Sequence, residues 1–369
     1  MWVMPLWHIT KNRALSNNMG LDIINLKNLS ITALGEHIAA INEPRFRISQ
    51  IMKWIYQARV DSFDKMKNLS QNSRKIFSEN FSVEKLKISY CIESEKKDAI
   101  KFGFNTSDNS GIMESVLLCD NDRRTACISS QLGCGLGCVF CATGAMGFIR
   151  NLSQQEIIGQ LIGINDFCAA KNDRLVTNIV FMGMGEALSN FDAFISSLQI
   201  IMHEDAFTIG ARRITVSTAG VVPSINRLIE QDLTIGLAIS LNTYDNRKRD
   251  AIMPVNKKYP IETLVDAAKR YEKKTNRPVT FEYVVVEGEN DSDKAINALA
   301  LLLKGVKCKI NVIPVNPCAG SDLSPPSEKK LIAFADALLS KGLSATVRKS
   351  RGRDISGACG QLSGKAFIS

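Results

Sequence analysis

The sequence predicts an α/β protein: a partial (β/α)₆ barrel with a small N-terminal helical accessory domain and a β-hairpin extension. Three observations lead there. Six strand-like runs alternate with helix-like runs from Thr125 onward, and a last strand follows at Ala345–Arg348. That alternation reads as a parallel sheet with right-handed helical crossovers. The 369 residues suffice for one large core and a small satellite. Apolar residues make up 45% and charged residues 22%, ordinary for a globular chain, and no apolar run reaches the ~20 residues of a membrane-spanning helix.

The elements follow in chain order. Residues 1–28 are an N-terminal extension whose apolar start, Met1–His8, lacks the basic lead-in of a signal peptide, and Met19 offers an alternative start. Residues 29–90 read as the helical domain, because Ser30–Ile41 and Arg45–Tyr56 carry apolar residues at helical spacing. Arg45, Arg47, Lys53, Lys65, Lys67, Arg74 and Lys75, with Phe46 and Trp54 nearby, suggest a face for an RNA backbone. Residues 91–124 read as the hairpin, with a turn at Thr106–Ser110 between Ala99–Asn105 and Gly111–Leu118.

Residues 125–352 are the barrel. Its strands are Thr125–Ser129, Thr177–Met182, Arg213–Ser217, Thr234–Leu241, Val279–Val286, Lys309–Ile313 and the last strand. The first helix opens on Ser153 and Glu156, a capping box. The next helices lie at Phe191–Met202, Pro223–Glu230, Ile261–Lys273, Asp293–Leu303 and Glu328–Leu339. Residues 353–369 form a C-terminal loop.

The chemistry centres on Cys134, Cys138 and Cys141, spaced C-x-x-x-C-x-x-C among glycines. Three thiolates with no nearby fourth ligand suit an iron-sulfur cluster with one open iron. Zinc is the alternative, but structural zinc takes four ligands and the nearest downstream histidine is the distant His203. Barrel active sites form at the C-terminal ends of the strands. That rule gathers the three cysteines, Gly185 and Glu186 after strand two, Ser217, the run Ser240–Leu241–Asn242, and Asn316 onto one rim. The last strand leads to Cys359, preceded by Arg348, Lys349, Arg351 and Arg353. Basic side chains beside a thiol favour its thiolate and also grip phosphates. The net charge of +9 points the same way, toward an anionic partner such as nucleic acid. Ten cysteines without a disulfide-framework pattern fit a reducing, cytoplasmic setting. Cys91, Cys119, Cys168, Cys308 and Cys318 read as structural.

The cysteine spacing resembles the signature of radical S-adenosylmethionine (SAM) enzymes. The run from Cys127 to Leu152, with Ala358–Cys359–Gly360–Gln361 at the far end, resembles the RlmN-type adenine-C2 methyltransferases. The resemblance implies a radical SAM barrel, a 4Fe-4S cluster on Cys134, Cys138 and Cys141, and SAM bound by Gly185, Glu186, Ser217, Ser240, Leu241, Asn242 and Asn316. It implies that Cys359 is methylated by one SAM, that a second SAM abstracts hydrogen from that methyl group, and that the carbon then adds to adenine. Cys127 matches the second catalytic cysteine, which forms a transient disulfide with Cys359, and Glu114 matches the acidic proton acceptor. The implied partners are 23S rRNA, tRNA beside the anticodon, and an electron donor such as flavodoxin or ferredoxin; a monomer is expected. Three positions depart from the pattern: Ala187 stands for proline, Asn242 for histidine and Val315 for tryptophan. A sister branch, Cfr-type, shares these motifs and methylates adenine carbon 8. A cluster-bearing RNA-binding or electron-carrier protein is the reading from another class.

Overall fold

The computed structural model describes residues 23–316 and 323–364. The two candidate start sites and Cys318 lie outside the described residues.

The N-terminal module holds β1 (Ile24–Asn25), α1 (Ile31–Ala40), α2 (Arg47–Met52), α3 (Gln71–Asn80) and β2 (Phe81–Ser82), with β1 and β2 parallel. Ser30 and Ser70 cap α1 and α3 by accepting a backbone N–H three residues on. A π-turn at Lys53–Gln57 extends α2. The basic face expected here is mostly charge-compensated. Arg47 pairs with Glu43, Lys65 with Asp61 and Lys75 with Glu79. The Lys65 and Lys75 pairs are exposed and contribute little stability, whereas the Arg47 pair is largely buried. Others tie the module to the core: Lys53 reaches Asp205, while Arg59 and Lys85 both reach Asp166.

β3 (Ile88–Glu93), β4 (Ala99–Asn105) and β5 (Ile112–Asp120) are antiparallel, and a turn at Asn121 leads to β6 (Arg123–Cys127). β5 then pairs antiparallel with β6, so the hairpin continues the barrel sheet directly instead of standing apart. The barrel proper continues through β7 (Gln131–Gly133), α4 (Ala142–Ala145), β8 (Phe148–Asn151), α5 (Gln154–Ala170), β9 (Asn178–Phe181) and α6 (Phe191–Met202). Next come β10 (Ile214–Thr218), α7 (Val222–Glu230), β11 (Gly236–Ser240), α8 (Asn246–Ile252), α9 (Ile261–Thr275) and β12 (Val279–Val285). The series closes with α10 (Asp293–Leu302), β13 (Cys308–Pro314), α11 (Glu328–Ser340) and β14 (Ser344–Val347).

One ten-stranded sheet results, in the order β14-β13-β12-β11-β10-β9-β6-β5-β4-β3, with β6 and β9 through β14 mutually parallel. Six βα units and a closing strand are the expected partial barrel. Successive side chains on a strand point to opposite faces. Val216, Ile239, Phe281 and Val312 are buried, while Thr215, Ala238, Thr280 and Asn311 turn into the lumen.

Candidate active site

The cysteine loop is clasped by the small β7–β8 hairpin. The Cys134 N–H donates to the Gly147 carbonyl at 2.8 Å. Gly133 sits at φ 72°, and a side chain there would collide with the Gly147 carbonyl 1.9 Å away. From the far side, Gln160 on α5 holds the approach to the loop: its amide accepts from the Ser129 N–H and donates to the Ser129 carbonyl, at 2.9 and 3.0 Å. Cys134, Cys138 and Cys141 line one cavity together with Gly185, Glu186, Ser217, Ser240, Asn242, Asn316 and Cys359. Burial pushes the Cys134 thiol up to about 11 and the Cys138 thiol up to about 12, with the neighbouring thiols adding to the shift at Cys138. Metal ligation must therefore expel protons. Among the described residues no three ligating side chains converge on a single-ion site. A multi-iron cluster, in which each thiolate takes a different iron, accommodates three sulfurs around one cavity; a mononuclear tetrahedral zinc needs them at ~2.3 Å from a common centre.

Glu186 is the best-prepared acceptor in this cavity. Its Oε2 accepts the Ala219 N–H at 2.8 Å, while Oε1 is buried with no partner. A donor from a bound group would satisfy it. Burial raises the carboxyl from its ordinary 4.5 to about 7. The folded state therefore keeps the proton at higher pH than the unfolded chain does. Stability from neutral Glu186 is full below about 4.5 and is lost as pH rises to about 7, amounting to roughly 3 kcal/mol at most. Thermal melts of the cofactor-free protein across that window should fall with pH, and Glu186→Gln should flatten the fall; parallel curves would refute the assignment.

The two glycines of Gly183–Met184–Gly185 serve the protein's own packing. A side chain at Gly183 would meet the Ser129 hydroxyl at 2.6 Å, and one at Gly185 would meet Gln131 at 2.3 Å. They let the end of β9 lie against the segment that feeds the cysteine loop. Asn242, at φ 60°, spends its side-chain oxygen on the Val284 N–H at 3.0 Å. Leu241 is buried and lines neither cavity described here, although its neighbours Ser240 and Asn242 do.

Arg249 went unnoticed in the sequence, where it is one more base in Asn246–Asp250. On α8 it is fully buried. Its guanidinium donates to the carbonyls of Leu241, Ala219 and Ser240 at 3.1, 2.7 and 2.8 Å, and to Asn256 at 3.0 Å. It ties the ends of β10 and β11 together beneath Ser217 and Ser240. Asp245, which caps α8, is the sequence signal that could have revealed the helix.

The C-terminal loop brings Cys359 to the rim. Asn316 donates to the Cys359 carbonyl at 3.0 Å and accepts from Arg353 at 2.8 Å. The Ala142 N–H donates to the Gly360 carbonyl at 2.7 Å, and the Thr143 hydroxyl to the Leu362 carbonyl at 2.6 Å. Gly360 lies at φ 84°, and a side chain there would meet the Phe140 carbonyl at 2.8 Å. The loop is thus clipped onto the cysteine loop. Cys359 is exposed and faces a second cavity as well, the barrel lumen, which Cys127 also lines. Burial, followed by the Cys359 thiol, pushes Cys127 up to about 12, with Arg348 acting the other way.

Glu114 lies elsewhere. It is fully buried on β5 and lines neither cavity. One oxygen accepts from Tyr90 and from Lys101; the other accepts the N–H groups of Ser363 and Gly364 at 2.8 and 3.0 Å. It anchors the loop that carries Cys359. Of the other cysteines, Cys168 is buried, Cys119 and Cys308 are half-buried and Cys91 is exposed.

Comparison with known proteins fits this geometry. A family model described as the ribosomal RNA large subunit methyltransferase N-terminal domain matches residues 24–83, and the radical SAM superfamily model matches residues 128–300. A probable dual-specificity RNA methyltransferase RlmN of Thermotoga sp. (strain RQ2) is 42% identical over 92% of this chain and 97% of its own length. A dual-specificity RNA methyltransferase RlmN of Desulfotalea psychrophila is 41% identical over 92% of this chain and 94% of its own. The crystal structure of a radical SAM methyltransferase from Sphaerobacter thermophilus superposes with a TM-score of 0.88 at 39% identity, covering 93% of this chain and all of that one.

Proposed function

The chain belongs to the RlmN family of radical SAM, dual-specificity RNA methyltransferases, and from that premise we propose that it methylates carbon 2 of adenosine in 23S rRNA and in tRNA beside the anticodon. The observation that carries the reading is the position of Cys359, on a loop clipped to the cysteine loop and facing both cavities. Carbon 2 of adenine bears no acidic proton, so a route through a carbon-centred radical is required.

Cys134, Cys138 and Cys141 would hold a 4Fe-4S cluster, and Glu186, Ser217, Ser240 and Asn316 would hold SAM beside it. The orphaned Oε1 of Glu186 suits the SAM ammonium or a ribose hydroxyl. When bound, SAM would supply the methyl group, and the cluster, given an electron by a donor such as flavodoxin or ferredoxin, would supply with SAM the hydrogen-abstracting radical. The protein's own part is placement. Asn316 and the Ala142–Gly360 contact fix the backbone at Cys359, which lines both cavities, so a methyl group on its sulfur would lie where they meet. Cys127 stands in the lumen wall as a thiol that burial keeps protonated, so it would first have to give up its proton. Its thiolate would then take part in proton removal and attack the Cys359 sulfur, forming the disulfide as the sulfur–carbon bond breaks and its electron pair, with a proton, completes the product methyl group. The proton-acceptor role expected of Glu114 requires its carboxylate to leave Ser363 and Gly364 first.

No described helix is long and apolar enough to cross a membrane. Nucleoside mass spectrometry of rRNA and tRNA from a deletion strain tests the reading. Loss of 2-methyladenosine is expected. Unchanged 2-methyladenosine would sink it, and loss of 8-methyladenosine instead would assign the chain to the sister chemistry.

A further inference from the structure

We propose that the barrel lumen is the pocket for the target adenine and that Glu282 reads its exocyclic amino group. The inference rests on the RNA-methylating reading and adds the residue that selects the base. The two cavities meet at a ring of Met182, Glu282, Ile313, Arg348 and Cys359, the residues that line both. One side of this ring holds the three clustered cysteines. The other side is the lumen, a cavity of about 600 Å³, a volume within the ~300–1,000 Å³ range of small-molecule sites. A methyl carried on Cys359 must meet the cofactor from the cysteine side, which leaves the lumen for the base.

The lumen suits an extruded nucleotide. Its wall is mixed, with Asn178, Thr215, Thr280 and Asn311 turned inward among apolar residues such as Val180 and Val347. Arg212 and Arg213 also belong to it; both are exposed, and neither forms an ion pair with a described residue. Enzymes that act on a base take it out of the stack and read its Watson–Crick edge inside a pocket, while basic residues at the mouth hold phosphates.

Glu282 supplies the reading group. It sits on β12, 5% exposed. Its Oε1 accepts the Asn311 amide at 3.0 Å and lies 3.7 Å from the Arg348 guanidinium. Its Oε2 is buried and has no partner. Both neighbours of the carboxylate, Asn311 and Arg348, belong to the lumen wall. A buried oxygen without a donor is costly, and a ligand that brings one is favoured. Adenine brings an amino group at position 6; hypoxanthine and guanine bring a carbonyl oxygen there, which would face Oε2 as acceptor against acceptor.

The Asn311 contact makes the test sharp. Because Asn311 donates to Oε1, a glutamine at 282 must keep its carbonyl at that place and put its NH₂ where Oε2 was. Glu282→Gln therefore exchanges an acceptor for a donor, whereas Glu282→Ala removes both. Binding of RNA hairpins carrying adenosine, inosine or purine riboside at the target position would be followed by fluorescence anisotropy on anaerobically reconstituted protein. The wild-type protein should prefer adenosine over inosine by about tenfold to a hundredfold. Glu282→Gln should reverse the preference, and Glu282→Ala should level all three. Wild-type protein that methylates RNA yet shares one base preference with both variants overturns the assignment. So does a loss of SAM binding in Glu282→Gln that matches its loss of adenosine binding, because Glu282 would then serve SAM. Wild-type protein that methylates no RNA overturns instead the functional reading on which the assignment rests.

Discussion

Replacing Cys359 with alanine should lower RNA methylation by at least ~10³-fold and should leave the chromophore of the proposed iron-sulfur cluster in place. The two outcomes separate because the residues sit on different segments that meet only at the rim. The three clustered thiols come from residues 134–141, clasped by β7 and β8, and Cys359 arrives on the C-terminal loop. Cys138→Ala is the contrasting variant: it should lose the chromophore and the methylation together. Product analysis by nucleoside mass spectrometry and visible absorbance of anaerobically reconstituted protein make the comparison. Methylation that survives in Cys359→Ala would show that the methyl group travels by another route.

Arg249→Ala should destabilise the protein by on the order of 4 kcal/mol and weaken SAM binding in parallel. Four acceptors lose the guanidinium at once, the carbonyls of Leu241, Ala219 and Ser240 and the Asn256 side chain, and of these the Leu241 carbonyl keeps the Thr243 N–H at 2.8 Å. Buried carbonyls left without partners carry their full desolvation cost. Arg249→Lys should recover little, since one ammonium cannot span the positions that the planar guanidinium reaches. Burial holds the Arg249 pKa down to about 10, which still leaves it charged at neutral pH. Urea unfolding of both variants reads the effect. A loss below about 1 kcal/mol would mean that α8 holds the strand ends without its arginine.

The barrel was legible because its strands and helices differ in period and each is punctuated. Phe191–Met202 begins and ends as its apolar spacing predicts, and Ser153 with Glu156 forms the expected capping box. The rim was legible because strand ends can be counted: nine of the residues expected there line one cavity with Cys359. What escaped was what depends on the third dimension. β4 is buried along nearly its whole length, so its continuity with the barrel sheet left no alternation to read. Glu114 looks like any hairpin carboxylate in sequence, and only the folded loop shows Ser363 and Gly364 upon it. Glu282 lies in the run Val279–Val285 as an oddity in an apolar strand. Its free oxygen becomes visible only once Asn311 and Arg348 are placed beside it. Arg249 likewise hides in a basic run of which it is the buried member.

The clip between the two loops also sets a timetable for the newborn chain. Thr143 to Leu362 spans 219 residues and Glu114 to Gly364 spans 250. Contacts so distant in sequence are the last that synthesis makes available. Every barrel strand and all three clustered thiols are synthesised before the segment that covers them. Until then the cysteine loop is open on the side that Gly360 later occupies. A chain without residues 358–364 would therefore keep every barrel strand, leave the cysteine loop uncovered and lack Cys359.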